Sequence, residues 1–348
     1  MTITVLKPGA YSSFQDLGRT GAQHLGFPVS GAMDVWSHRI ANRVLGNPDT
    51  FATLELTLSG PALRFDTDAT VAWCGADLSP TLVDATAHGA APAGGRAVPA
   101  AEAVAVRAGE TLRFGRRIAG VRAYLAVRGG FALTPFLGSC STWARAGIGG
   151  HEGRPLAKGD TLALARVDAD RDPAPGAGAG ERAGAALADI DNDRIGAPIR
   201  VVAGRDWARF DDAAHRALTS APYRVGAQSD RMGYRLEGRA LERVVAGDLL
   251  SEAVAFGTMQ VPPDGQPIIL MAERQTTGGY PKIAQVASVD LPRLAQYAPG
   301  EVLRFQLITL GDAQALLIAR LRELDRRLPP APGATPATTP PRRPRRPR

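Results

Sequence analysis

Met271-Ala272-Glu273-Arg274-Gln275-Thr276-Thr277-Gly278-Gly279-Tyr280-Pro281-Lys282 follows a short apolar run, Pro267 to Leu270. That run is long enough for one buried strand, and the polar residues after it are of no use to a core. Glu273 to Thr277 present a dense set of donors and acceptors, and Tyr280 and Lys282 add a phenol and an ammonium. Gly278-Gly279 frees the backbone for positive φ or for close approach to a ligand. A strand that breaks into a polar edge and a double glycine is how a binding loop is mounted on a rigid scaffold. The same letters also describe an ordinary hairpin turn with a solvated rim, because Gly-Gly is a common turn signal.

Outward from this stretch the texture stays β. Strands are predicted at Thr2 to Lys7, Thr70 to Cys74, Ala103 to Val106, Thr111 to Phe114 and Val121 to Val127. The pattern returns at Ile199 to Ala203, Tyr223 to Gly226, Thr258 to Val261, Ile268 to Met271, Ile283 to Val289 and Val302 to Leu307. Many short strands with regular Gly and Pro punctuation predict a mainly β fold of barrels or sandwiches with a few helices. Three helices are expected. One runs from Asp34, as its cap, to Leu45, one from Trp207 to Leu218 capped by Asp206, and one from Asp312 to Leu328. A weak turn-plus-strand repeat opens at Gly60, Gly109, Gly159 and Gly300, which fits two β halves without proving duplication. The expected organisation is a first β-barrel half at 1–167, a Pro/Gly/Ala-rich linker at 168–192, a second half with a C-terminal helix at 193–328, and a disordered tail at 329–348.

At 348 residues, with 45% apolar and 22% charged side chains, the composition is that of a globular protein. No run approaches the roughly 18 apolar residues of a membrane span, and the N-terminus reads as a strand rather than a signal peptide, which predicts a cytoplasmic protein. The net charge of +7 falls to +2 without the five arginines of the tail, so the body carries no nucleic-acid signature. The tail itself reads as a solvated segment, with loose contact to an acidic partner or RNA as the functional alternative. Cys74 and Cys140 have no metal or redox spacing, and the five histidines show no ligand spacing, so no metal site is expected.

Four further polar stretches stand out: Gln15 to Asp34, Arg128 to Arg154, Gln228 to Leu236, and Ser251-Glu252 leading to Gln260–Pro267. The first precedes a helix, whose backbone N–H groups offer a place for an anion. It is not a Walker A loop and not G-x-G-x-x-G, and elsewhere G-x-S-x-G and H-E-x-x-H are missing. No lysine sits in a biotin-attachment context, so biotin is not expected on this chain.

Taken together the stretches resemble one family. P-G-x(5)-Q-D-L-G-R-x-G at Pro8–Gly21, L-G-x-P-x-S-G-x-M-D at Leu25–Asp34, S-D-R-M-G-x-R-L at Ser229–Leu236 and Q-V-P-x-D-G-x-P-I-I-L-M-A-x-R-Q-T-T-G-G-Y-P-K-I-A at Gln260–Ala284 resemble the biotin-dependent carboxyltransferase subdomain A/B family. That family includes the C subunit of bacterial 5-oxoprolinase, an antagonist of a sporulation-kinase inhibitor, and part of urea carboxylase. One position departs: the residue before Arg274 is usually Asp in the family and is Glu273 here. The resemblance implies two cyclophilin-like β-barrel halves and an ATP- and Mg2+-dependent opening of 5-oxo-L-proline to L-glutamate. It also implies partner subunits of A-like and B-like type. A biotin-dependent carboxyltransferase acting on a urea-like amide, or a non-catalytic regulator of a kinase inhibitor, are the alternatives it leaves. On this reading Asp34, Glu55 and Glu273 are the candidate acid/base or magnesium-positioning groups, and Lys282, an anion-holding cation, is the fourth catalytic candidate. Arg19, Arg231, Gln260, Gln275, Thr276, Thr277, Gly278, Gly279 and Tyr280 are the candidate substrate-binding groups, with Arg274 among the possible anion holders.

Overall fold

The computed structural model describes residues 1–84, 95–166, 196–245 and 249–331. The expected linker, and the expected tail beyond its first three residues, lie outside them. Among the described residues the fold is mainly β, with short strands and four α-helices.

Two antiparallel sheets build the N-terminal half. The six-stranded sheet has the order Thr161–Ala163, Thr2–Lys7, Ala62–Phe65, Thr111–Arg113, Thr81–Val83, Arg96–Ala97. The five-stranded sheet has the order Tyr11–Gln15, Thr53–Thr57, Ala119–Val127, Ala69–Asp77, Val104–Val106. The first three strands of the turn-plus-strand repeat share the six-stranded sheet. Side chains alternate across each strand, so Ile3, Val5, Leu63 and Phe65 meet Leu54, Leu56, Val71 and Leu125 in one apolar core between the sheets. Alternation also turns Glu55, between Leu54 and Leu56, away from that core. It faces the other half of the molecule.

The C-terminal half is one eight-stranded sheet, ordered Val302–Leu303, Tyr223–Val225, Gly233–Gly238, Ile268–Leu270, Thr258–Gln260, Lys282–Val286, Ile199–Ala203, Phe305–Leu307. Its two edge strands are consecutive in the chain, separated by Arg304, so one extended run nearly closes the sheet into a barrel. The single strand expected over 302–307 is therefore two. Leu303 pairs antiparallel with Tyr223, and Phe305 pairs in parallel with Ile199. Val201, Val225, Leu236, Ile269 and Ile283 fill the interior.

Helix Val35–Val44 starts where expected, with the Asp34 side chain accepting from Trp36 N and Ser37 N. The helix expected from Trp207 is two pieces. A 3-10 turn at Trp207–Arg209 ends at extended Phe210, and Asp212–Ser220 then starts under a second cap, Asp211, which accepts from Ala214 N. The last helix, Leu310–Arg327, begins earlier than expected because Thr309 caps it. It leans on both halves. Ala313 packs on Ala287 and Val289, while Leu324 and Leu328 pack on Trp36, Ile40 and Val44. Arg43 donates to Asp325 Oδ1 and to Leu328 O at 2.7 Å each, tying the helix end to helix Val35–Val44. Among the described residues no helix is long and apolar enough to cross a membrane.

Candidate functional site

The predicted site residues fall into two groups. Asp34, Glu55, Glu273, Arg19 and Arg231 lie in the buried junction between the halves. Gln260, Gln275, Thr276, Thr277, Gly278, Gly279, Tyr280 and Lys282 lie around a small ribbon on the C-terminal half.

At the junction, fully buried Glu55 accepts from Arg231 Nη1 through Oε1, and from Met33 N at 3.0 Å and Tyr124 OH at 2.7 Å through Oε2. Arg231 also donates from Nε to Glu273 Oε1 at 2.6 Å and from Nη2 to Gly31 O at 2.8 Å. One guanidinium thus holds two carboxylates and a carbonyl from both halves. Burial opposes the Glu55 charge, yet Arg231 and Arg122 hold its carboxyl below the usual range. Burial likewise opposes the Arg231 charge, and Glu55 and Glu273 more than offset it. The Tyr124 hydroxyl is pushed well up by burial and by Glu55, and Tyr11 is pushed up to about 12 by burial and then by Glu273. Arg122 extends the network, donating from Nη1 to Tyr234 OH and Ala295 O at 2.6 Å each.

The Gln15–Asp34 loop and the 271–282 loop meet across the junction, with Ser30 N donating to Ala272 O at 3.1 Å. Within the first loop Asp16 collects Gly18 N, Ser139 Oγ, Ser141 Oγ and Cys140 N. Arg19 donates to Ser30 Oγ at 3.2 Å and to Ser141 O. Asp16 and Arg19 therefore each bond the 139–141 segment rather than each other. The helix N-terminus expected to hold an anion is filled by the protein's own carboxylate. Asp34 accepts Trp36 N and Ser37 N, then Ser37 Oγ at 2.6 Å and Gln296 Nε2 at 2.8 Å. Burial nonetheless holds the Asp34 carboxyl above its ordinary range.

The ribbon pairs Glu252–Ala253 with Thr277–Gly278. Lys282 Nζ lies 3.0 Å from Glu252 Oε1 and donates to Tyr280 O at 3.3 Å and Gly278 O at 3.4 Å. Arg205 reaches the same carboxylate, and Lys282 and Arg205 hold Glu252 below the usual range. Buried Gln260 donates to Tyr280 O at 3.4 Å and accepts from Gln275 Nε2 at 3.5 Å. A Cβ at Gly278 would lie 2.6 Å from Gln260 Nε2. Gln275, Thr277 and Tyr280 are exposed, Tyr280 to 46%.

A cleft of about 790 Å3 also opens between the halves, walled by Trp73, Pro80 and Val98 on one side and by Val289 and Pro292 on the other. Of the predicted site residues Asp34 alone is among the described residues that line it, with Gln296 beside it. Sequence reasoning passes over this cleft because tryptophan, valine and proline read as core. Arg122 and Tyr124 escape it too, although a charged residue inside the apolar run Val121–Val127 is a signal for them. Among the described residues no three His, Cys, Asp or Glu side chains are grouped to hold a metal ion.

The chain is 36% identical over 311 residues to the 5-oxoprolinase C subunit of Escherichia coli, covering 89% of this chain and 93% of that protein. It is 37% identical over 314 residues to the 5-oxoprolinase C subunit of Haemophilus influenzae, covering 90% and 94%. The fold superposes on the crystal structure of Kluyveromyces lactis urea carboxylase with a TM-score of 0.82 at 29% identity. That match covers 94% of this chain and 29% of the much longer enzyme. The family described as carboxyltransferase domain, subdomain A and B matches residues 25–307, and the chain belongs to it.

Proposed function

We propose that the chain is one subunit of a cytoplasmic, ATP-dependent 5-oxoprolinase that opens 5-oxo-L-proline to L-glutamate together with A-like and B-like subunits. The observation that carries this reading is coverage. The two 5-oxoprolinase relatives are matched over 93% and 94% of their own lengths, whereas the urea carboxylase match takes in 29% of its chain.

The chemistry is demanding because a lactam amide is a poor electrophile. Phosphorylation of its oxygen makes the ring carbon open to attack by water, and ATP supplies that phosphoryl group when bound. Asp34, Glu55 and Glu273, the carboxylates the sequence suggests for magnesium, do not fit a nucleotide–magnesium site. Asp34 and Glu55 spend both oxygens on N–H, O–H or guanidinium donors, and Glu273 is held by Arg231. What this chain offers is recognition. The amides of Gln260 and Gln275 match the donor and acceptor of a lactam, and Lys282 adds an N–H+ beside the Thr277–Gly278 backbone. The buried Glu55–Arg231–Glu273 pins hold the loop that carries them.

The test is reconstitution. Coexpressed subunits are expected to convert 5-oxo-L-proline to glutamate with ATP consumption, and omission of this chain to abolish the conversion. Equal rates without it would sink the reading. The fold match to urea carboxylase favours a second reading, carboxyl transfer from carboxybiotin to a urea-like amide. Labelled bicarbonate appearing in the amide product, with a separate biotin carrier present, would select it.

A further inference from the structure

Arg274 is the buried arginine that the junction does not explain. It follows Glu273 in the chain but takes a separate path. Glu273 reaches Arg231, while Arg274 donates from Nε to Val254 O at 3.2 Å and from Nη1 to Met271 O at 3.4 Å. The residue is 7% exposed, and Nη2 has no partner among the described residues. Three other buried arginines meet a carboxylate: Arg43 pairs with Asp49, Arg122 lies near Glu55, and Arg231 holds Glu55 and Glu273. Arg19 has no carboxylate partner at salt-bridge distance among the described residues, but Asp16 and Glu273 partly offset its burial. Arg274 has two long bonds to carbonyls and no carboxylate in reach among the described residues.

A buried guanidinium without a counter-charge is expensive to keep, and such groups cluster where a ligand brings the missing charge. We propose that Arg274 is the carboxylate anchor of a small-molecule site beside the ribbon. Burial alone acts on it, lowering its pKa to about 10, which agrees with a site where no protein charge competes for it. The class of ligand follows from the surroundings. Val254, whose carbonyl Arg274 holds, also donates to Thr276 O at 3.2 Å, so the guanidinium sits at the ribbon edge that carries Gln275 and Thr277. The nearby cation Lys282 is neutralised by Glu252. One cation without a protein counter-charge is matched in charge by a monoanion such as a carboxylate, whose planar geometry the guanidinium fork can meet with two bonds. The Gln260 and Gln275 amides, which bond each other on the same half, suit an amide on a ligand that reaches both. That the ligand is 5-oxo-L-proline rests on the function proposed above; the anchor does not.

The experiment is isothermal titration of the full chain with L-5-oxoproline, with 2-pyrrolidinone, which is the same lactam without a carboxylate, and with L-glutamate. L-5-oxoproline is expected to bind at least about tenfold more tightly than 2-pyrrolidinone, the worth of a charge-assisted hydrogen bond. Arg274→Gln is expected to erase that difference, and Arg274→Lys to retain part of it. Thermal unfolding separates anchoring from structure. Without ligand, Arg274→Gln should melt at or above the wild-type temperature, since a stranded charge has been removed. L-glutamate binding that Arg274→Gln abolishes, with no L-5-oxoproline binding, would support the anchor and overturn the lactam reading. Equal binding of the lactam with and without its carboxylate, no binding of any carboxylate, or a sharp fall in the Arg274→Gln melting temperature would overturn the anchor.

Discussion

Glu55 shows how a side chain of ordinary type acquires a particular task through its neighbours. It is fully buried, yet ionised, because Arg231 and Arg122 offset a desolvation that would otherwise neutralise it. Its carboxyl titrates lower in the folded chain than the ordinary glutamate value of 4.5. A depressed folded pKa contributes stability that is present above the unfolded value and is lost as pH falls through the folded value. Glu55→Gln should therefore destabilise at pH 7 by about 3 kcal/mol, the low end for breaking a buried pair, since Arg231 keeps Glu273. The deficit should narrow below pH 4.5, as the stability that ionised Glu55 contributes is lost from the wild type. Urea unfolding at pH 7 and pH 4 measures both. A deficit that does not change with pH would mean that the Gln amide disturbs packing rather than charge.

At the scale of elements, the ribbon's Gly278 offers a sharper separation of fold from site. Its strand pairing uses backbone groups, so Gly278→Ala keeps them, but the new Cβ meets the Gln260 amide at 2.6 Å. Gln260 is the far end of a flexible side chain and can swing away at a cost of about 1 kcal/mol or less. The variant should unfold close to wild type yet lose most of the reconstituted activity, as checked by calorimetry beside a glutamate-release assay. Much of this architecture is legible as letters. Thr2–Lys7 and Ile199–Ala203 can be read to the residue, because their apolar alternation is undisturbed. Tyr11–Gln15 and Thr53–Thr57 do not read as strands, because Ser13, Gln15, Thr53 and Glu55 are polar and still buried, and alternation then carries no signal. The helix at Asp212–Ser220 is expected too early because Asp206 and Asp211 are both good caps, and extended Phe210 decides between them. The site residues are visible as polar letters in loops. Which of them pair with each other, and which stay unpaired as Arg274 does, depends on contacts between segments far apart in the chain, which no local pattern carries.

For the whole molecule, the question is what keeps two β halves with separate apolar cores in one register. The last helix spans both and Ser30 bonds Ala272, but the densest polar link is Arg231 between Glu55 of one half and Glu273 of the other. Such a triad adds little net stability over an apolar one of the same shape, because the desolvation of three charges consumes the attraction. Its value lies in specificity: only one placement of the halves satisfies all three groups. Arg231→Met alone strands two carboxylates and should destabilise the chain by about 3–5 kcal/mol. Adding Glu55→Gln and Glu273→Gln removes the stranded charges, and the triple variant should recover most of that loss. If the triad sets register, the triple variant will unfold at nearly the wild-type denaturant midpoint but with a broader transition, or with two, as each half follows its own core. Its reconstituted activity should stay low, because the 271–282 loop is no longer pinned. Denaturant unfolding and activity on the wild type, Arg231→Met and the triple variant decide the point. A triple variant as unstable as the single one would show that the attraction itself holds the halves together. A triple variant with one sharp transition and full activity would show that the helix and the backbone contacts suffice.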